Sequence, residues 1–405
     1  MVATAVDLSV FNDIVGAEHV RDADAGDAIR GVSPNAVVSP ASEAEVSAVL
    51  AAATSRNLAV VARGGGTKLD WGAPPSRCDL VLSTSRIAGI VDHEPADLVC
   101  VARAGTTLAG LQSRVASTEG FRQRLMLDPS QGAAATLGGV LATAASGPLR
   151  TRFGTPRDLV IGASFVLSDG TIGRSGGKVV KNVAGFDIAK LLTGSLGTLA
   201  VITELAFRLH PLPAASATVV LESRSVDNLC AFAAAVGRLQ VTPSVVDLHW
   251  PDGIVVVRFD SSVRGAAVQA ERVTKAAGGR VLDPQEAEST AAALATRPWQ
   301  GSGSVAAIAV LPSRSVALLT ALSGGTCEAL VLRPLLGTGE VRCAPDSTSD
   351  VATAVGNNGG RLAMRRGEGV NVGIDDVVAL DLMRSVKHRL DPTGTLCPGR
   401  QPGGI

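Results

Sequence analysis

Aromatic side chains and net charge are what this sequence has least of. Phe and Trp together make up 3% of 405 residues, and tyrosine is absent. That leaves little material for the stacked aromatic platforms that hold single-stranded nucleic acid. Lys and Arg number 37 against 37 Asp and Glu, so there is no basic footprint for a phosphate backbone either. Charged residues are only 18% of the chain, below the usual ~25%. At 46% hydrophobic the sequence is nevertheless too apolar to be disordered. Its length predicts two or three domains at roughly 100–200 residues each.

Metal and disulfide signals are equally sparse. Cys78, Cys100, Cys230, Cys327, Cys343 and Cys397 form no CxxC pair, and none stands at ligand spacing from a histidine. The expectation is six reduced core thiols, no metal site and no iron–sulfur cluster. The five histidines, His19, His93, His210, His249 and His388, are scattered. The N-terminus lacks the basic start of a secretory signal. Pro129 to Leu149 carries no charge, but its only large aliphatics are Leu137, Val140, Leu141 and Leu149. Alanine and glycine add little transfer free energy, so no membrane span is expected there. A cytoplasmic protein is the expectation, with docking at the inner face of the plasma membrane left open.

What the chain has in excess is glycine, 45 residues, about 11% where ~7% is typical. Much of it falls in three ordered elements. The first, Arg63-Gly-Gly-Gly-Thr-Lys68, follows the apolar run Leu58–Ala62. Residues without Cβ let successive N–H groups turn inward as an anion cradle. The spacing is neither that of a Walker A loop nor that of a Rossmann fingerprint, and a plain glycine turn remains open at this point. The second runs from Asp128-Pro-Ser-Gln-Gly132 through Thr136-Leu-Gly-Gly139 to Ser146-Gly-Pro148 and Phe153-Gly154. It suits close approach to a flat ligand, or an Ala/Gly helix with caps. The third is Lys181-Asn-Val-Ala-Gly185-Phe-Asp187, then Gly194-Ser-Leu-Gly197.

Around these elements the pattern alternates strands and helices. Ser42-x-x-Glu45 opens a helix with Val46, Val49, Leu50 and Ala53 on one face. Strands are predicted at Leu58–Ala62, Leu80–Leu82, Ile87–Val91, Leu98–Arg103, Leu159–Leu167 and Leu199–Leu209, and a helix after Thr106 or Thr107. A turn falls at Ser168-Asp-Gly170, and a short helix is predicted from Gly185 to Leu192. Residues 214–375 alternate short strands with Ala-rich helices, including strands at Ala217–Glu222, Val245–His249, Ile254–Phe259 and Val305–Leu311. No repeat of fixed period is visible.

Together the phrases DPSQGAAATLGGVLATAASGPLRTRFG, GGKVVKNVAGFDIAKLLTGSLGTLAVITE and LDPTGTLCPGR resemble the FAD-binding domain of the vanillyl-alcohol oxidase and p-cresol methylhydroxylase flavoproteins. Within that superfamily the chain is most similar to the FAD-binding smaller flavin subunits of bacterial glycolate oxidase. The detailed resemblance covers about residues 35–212 and 380–400. It implies an α+β fold: a two-subdomain FAD-binding domain with an α+β cap. It also implies an N-terminal extension at 1–30, the FAD-binding domain at 31–213, the cap at 214–375, and a segment at 376–405 that returns to the FAD domain.

The resemblance implies residue roles as well. Arg63, Gly64, Gly65, Gly66 and Thr67 cradle the diphosphate. Pro129, Gly132, Thr136, Gly138, Gly139, Ser146 and Gly147 line flavin and diphosphate, with Arg150 and Gly154 on the same path, and Val201 and Ile202 meet the adenine end. Thr67 stands where a flavin-linking histidine would be, so non-covalent FAD is expected. Cys397 replaces the asparagine of the family's Asn-Pro-Gly tail. No histidine-rich metal motif is present, and the catalytic residues are left unassigned. Arg365-Arg366, Arg384-x-x-Lys387 and His388 are basic candidates, each with an equally good reading as a surface group. The function implied is a redox subunit of a 2-hydroxy-acid dehydrogenase complex of glycolate-oxidase type, with a larger flavin subunit and an iron–sulfur subunit as partners and electron transfer to the latter. The alternatives are a free-standing FAD oxidoreductase of a hydroxy acid or sugar alcohol, and an assembly subunit in which FAD is structural.

Overall fold

A computed structural model describes residues 7–178, 185–295, 297–367 and 379–405. The expectations for Lys181–Ala184, and for a helix beginning at Asp376, fall at least partly outside these residues. The chain divides into two compact units. The first comprises residues 1–145, 155–212 and 378–405, and the second residues 146–154 and 213–377.

The first unit contains two principal sheets. One has the order Val20–Asp22, Ala36–Val38, Leu80–Ser83, Val60–Arg63. Its last three strands run parallel and its first is antiparallel. Parallel strands are buried on both faces and so read as unbroken apolar runs. Here Ala36, Val38, Val60, Leu80 and Leu82 enter one core, and their neighbours Val37, Val61 and Val81 enter another on the opposite face. The helix Glu43–Ser55 covers the first of these faces with Val46, Val49, Leu50 and Ala53. Ser42 caps it by accepting from the Glu45 N–H at 3.1 Å. The Glu45 carboxylate returns to the Ala41 N–H rather than to that of Ser42. Each fully buried Val or Leu contributes about 2 kcal/mol of transfer free energy, which outweighs any one cap. Residues 9–22, weakly patterned in sequence, are integral to this unit. Phe11 in the helix Ser9–Val15 is fully buried in the same core.

The second sheet of this unit is antiparallel, in the order Ile90–Glu94, Val99–Arg103, Val201–Arg208, Val160–Val166, Ile172–Gly176. The strand expected at Ile87–Val91 starts three residues later because Ile87 is taken up in a turn, its N–H donating to Thr84 O. Gly170, at φ +89°, closes the predicted hairpin. Its Cβ would lie 2.8 Å from Ser47 O.

The second unit is built on one antiparallel sheet of eight strands. Its element order is strand, helix, strand, strand, helix, strand, and then the same again. Residues 215–281 form the first set and residues 304–366 the second. Within each set the spatial order is fourth, first, third, second, the arrangement of a ferredoxin-like βαββαβ unit. The two halves meet through their second strands, Val245–Trp250 and Ala329–Arg333, with Leu248 opposite Leu332. The duplication is topological only, so no period shows in the sequence. The helices Val226–Arg238, Val263–Ala277, Ser315–Leu322 and Thr348–Asn357 all send buried residues into one shared core.

Candidate functional site: a glycine-walled cleft

A cleft open to solvent lies within the first unit. The Val60–Arg63 strand ends at its wall and passes into the loop Gly64–Lys68. The helix Leu137–Thr143 contributes Gly138 and Gly139 from its first turn, and Thr136 caps it. The strand Val201–Arg208 contributes Val201 and Ile202. Of the residues expected from sequence, Gly64, Gly65, Gly66, Thr67, Thr136, Gly138, Gly139, Val201 and Ile202 therefore share this cleft.

The remaining candidates go elsewhere, each for a physical reason. Arg63 does not line the cleft; its guanidinium bonds Asp27 Oδ1 at 2.7 Å. Asp27 is buried, and its bidentate bonds to Arg21, more than those to Arg63, hold its carboxyl well below the usual carboxylate range. Pro129 and Gly132 sit in the turn that leads to Thr136, outside the walls. Ser146, Gly147, Arg150 and Gly154 belong to the second unit, where Arg152 donates to Asp260 O at 2.9 Å. The run of small residues thus continues past the unit boundary. Of the basic candidates, Arg366 is held by the carbonyls of Trp299, Gly301 and Gly303. Arg384 pairs with Asp381. Lys387 bonds Asp391 and the carbonyls of Thr198 and Leu396. His388 is exposed.

The glycines do two different jobs. A Cβ on Gly64 would lie 2.0 Å from Thr136 Oγ1, and one on Gly65 would lie 1.9 Å from Ala134 O. These two glycines let the first loop touch the second. Gly138 does the same against Ala104, with a Cβ contact of 2.9 Å. Gly66 is different: at φ +71° its Cβ would make only ordinary contacts, with the Leu69 and Arg63 side chains at 3.9 and 4.0 Å, so it serves the turn itself.

The loop also leaves donors open. Among the described residues, no backbone N–H from Gly64 to Lys68 finds an acceptor. Two cations that the sequence reading passed over stand in the same walls. Lys68 is buried and donates to Thr67 Oγ1 and Ser130 O at 3.1 and 2.9 Å. Burial pushes its ammonium down to about 8. Arg400 is also buried, and its Nη1 has no partner. Neither cation has a carboxylate in ion-pair range among the described residues. Each does lie in a quoted motif, Lys68 at the end of the glycine loop and Arg400 at the end of the tail. Five open amides and two buried cations without an ion pair, on which only the carboxylate charge of Asp70 acts from farther off, make an anion site. An extended dinucleotide with a doubly charged diphosphate fits that donor set. Among the described residues no histidine or cysteine lines the cleft.

The tail forms one edge of this arrangement. Val60 N–H donates to Thr395 O at 2.7 Å, and Cys397 N–H donates to Val60 O at 2.9 Å. Cys397 is buried at φ +44°. Asparagine tolerates that left-handed conformation better than other non-glycine residues, which accounts physically for the family's usual choice. Burial pushes the Cys397 thiol up and leaves little thiolate.

A second polar cluster lies in the second unit, at the seam of its two halves. Arg333 bonds Glu340 at 2.9 Å and stands 3.7 Å from Asp247. Burial raises the Asp247 carboxyl to about 6, although Arg333 opposes the shift. Burial lowers His249 to about 3, with Arg333 acting in the same direction. Among the described residues no group of three or more His, Cys, Asp or Glu could hold a metal. None of the described helices is long and apolar enough to cross a membrane.

Comparison with known proteins agrees with this geometry. An FAD-binding domain model matches residues 34–176, and FAD is the cofactor. Alkyldihydroxyacetonephosphate synthase superposes with a TM-score of 0.76 at 15% identity, covering 98% of this chain and 86% of that one. Substrate-bound p-cresol methylhydroxylase gives 0.70 at 16% identity, covering 97% and 95%. The fold is that of the p-cresol methylhydroxylase-type flavoproteins. In sequence, the chain is 42% identical over 177 residues to a D-lactate dehydrogenase of Archaeoglobus fulgidus, covering 43% of this chain and 38% of that protein. It is 38% identical over 165 residues to the glycolate oxidase subunit GlcE of Escherichia coli, covering 40% and 46%. The chain thus matches less than half the length of either relative.

Proposed function

We propose that this chain is an FAD-dependent oxidoreductase of 2-hydroxy acids, acting as a redox subunit of a glycolate-oxidase-type complex with a larger flavin subunit and an iron–sulfur subunit. The observation that carries the reading is the cleft, in which the open amides of Gly64–Lys68 and the buried cations Lys68 and Arg400 face one ligand space. The likeness to GlcE supports membership of a complex. When bound, FAD supplies the acceptor for the electrons of the 2-hydroxy acid. The chain's own part is to hold the cofactor. The amides and cations take the diphosphate, Gly138 and Gly139 keep the wall free of side chains, and Val201 and Ile202 add an apolar face. No histidine or cysteine is among the described residues that line the cleft, which supports a flavin held without a covalent bond.

A second reading, a free-standing D-lactate-type dehydrogenase, is favoured by the 42% identity to the Archaeoglobus fulgidus enzyme. A third, in which FAD is only structural, predicts that no 2-hydroxy acid reduces the flavin under any condition. Mixing the purified flavoprotein anaerobically with glycolate or D-lactate separates them. Bleaching of the flavin by the chain alone supports the free-standing enzyme. Bleaching only after the partner subunits are added supports the complex.

A further inference from the structure

We propose that the C-terminal tail is part of the cofactor site: Arg400 and Lys68 form a two-cation clamp on the FAD diphosphate. This rests on the FAD reading above and goes beyond the glycine loop. Arg400 is 3% exposed yet lines the cleft. One terminal nitrogen, Nη2, donates to the carbonyls of Leu69 and Trp71, just past the glycine loop. The other, Nη1, is buried without a partner. A buried guanidinium nitrogen without an acceptor is rare, because its desolvation goes uncompensated. Its presence in a ligand cleft marks the place of an anion.

The tail brings Arg400 there through the Val60 ladder at Thr395 and Cys397, reinforced by Ala73 N–H donating to Arg400 O at 3.2 Å. Lys68 stands in the same cleft with two acceptors for its three ammonium protons. The charge of oxidised FAD resides on its diphosphate, so two buried cations that form no ion pair, with Asp70 acting on both only from beyond ion-pair range, recognise that part of the molecule.

The test uses full-length protein stripped of flavin and titrated with FAD by fluorescence, with the melting temperature of the stripped protein recorded in parallel. Arg400→Gln removes the charge, and Arg400→Lys keeps it in another shape. The clamp predicts that Arg400→Gln weakens FAD binding by roughly tenfold or more, and that Arg400→Lys recovers most of the loss. Affinity in Arg400→Gln within twofold of the parent overturns the proposal, and so does an Arg400→Lys as weak as Arg400→Gln. If Arg400→Gln does not fold, Lys68→Gln carries the test: a fall of about tenfold supports the clamp and an unchanged affinity overturns it. Failure of the parent protein to bind FAD at all would sink the FAD reading and the clamp with it.

Discussion

The cleft of the first unit and the seam of the second treat buried charge differently. In the cleft, Lys68 and Arg400 form no ion pair, Asp70 acting on both from beyond that range, and the loop beside them leaves its amides open. In the second, charges face one another: Arg333 with Glu340 and Asp247, Arg258 with Asp260. An uncompensated cation raises the free energy of the empty protein and lowers that of a complex with an anion. A compensated cluster does neither, and fixes instead how strands meet. Burial and charge alone do not mark a binding site; buried cations that form no ion pair at the wall of a cleft do.

The largest effect expected from this contrast is in the second unit. Arg333→Leu strands Asp247 and Glu340 at the seam between the halves and should cost about 4 kcal/mol, read as a lower denaturation midpoint. The double change Arg333→Leu with Asp247→Leu should regain most of that loss. If the double variant is no better than the single, the cluster is not self-compensated.

Next in size are the glycines. Gly65→Ala puts a methyl group 1.9 Å from Ala134 O, a backbone atom, and should destabilise by roughly 3 kcal/mol. Gly66→Ala makes only ordinary van der Waals contacts and carries the strain of φ +71°, about 1 kcal/mol. Equal melting temperatures for the two would remove the distinction between loop packing and turn geometry.

A smaller effect concerns pH. Lys68 titrates at about 8 in the flavin-free fold, below its ordinary 10.5. Keeping it charged therefore costs the empty protein stability below pH 8, and that cost fades as pH rises to 10.5. Binding a diphosphate favours the charged form, so FAD affinity should fall above pH 8 by at most about tenfold per unit. Lys68→Arg should flatten that dependence; an unchanged slope would show that another group titrates. Smallest of all is the thiol signal. All six cysteines are buried, so none should react with a thiol reagent until the protein is unfolded.

Much of the first unit was legible because its signals are local. An apolar strand followed by three glycines, a threonine cap at Thr107 and the alternating runs of the sheets are each contained within about ten residues. What was missed is long-range. Arg63 looked like a phosphate ligand until its pairing with Asp27, far upstream, was seen. Arg400 reaches the cleft only because the tail pairs with Val60. Residues 146–154 continue the glycine-rich composition, yet pack with the second unit. In that unit four strands, Ala217–Glu222, Val245–His249, Ile254–Phe259 and Val305–Leu311, were legible, but the other four and the doubled βαββαβ topology were not. Its halves share an order of elements and not a pattern of side chains. Asp247 and Arg333 meet through the ladder that joins those halves, a partnership that no spacing in the sequence announces.

The central claim, that the glycine-walled cleft holds FAD through its diphosphate and without a covalent bond, is tested most directly by denaturing the purified flavoprotein and measuring where the flavin goes. The account predicts close to one FAD per chain, all of it released into the supernatant and taken up again by the refolded protein. Flavin that stays with the precipitated chain, or a chain that neither carries nor binds FAD, would contradict it.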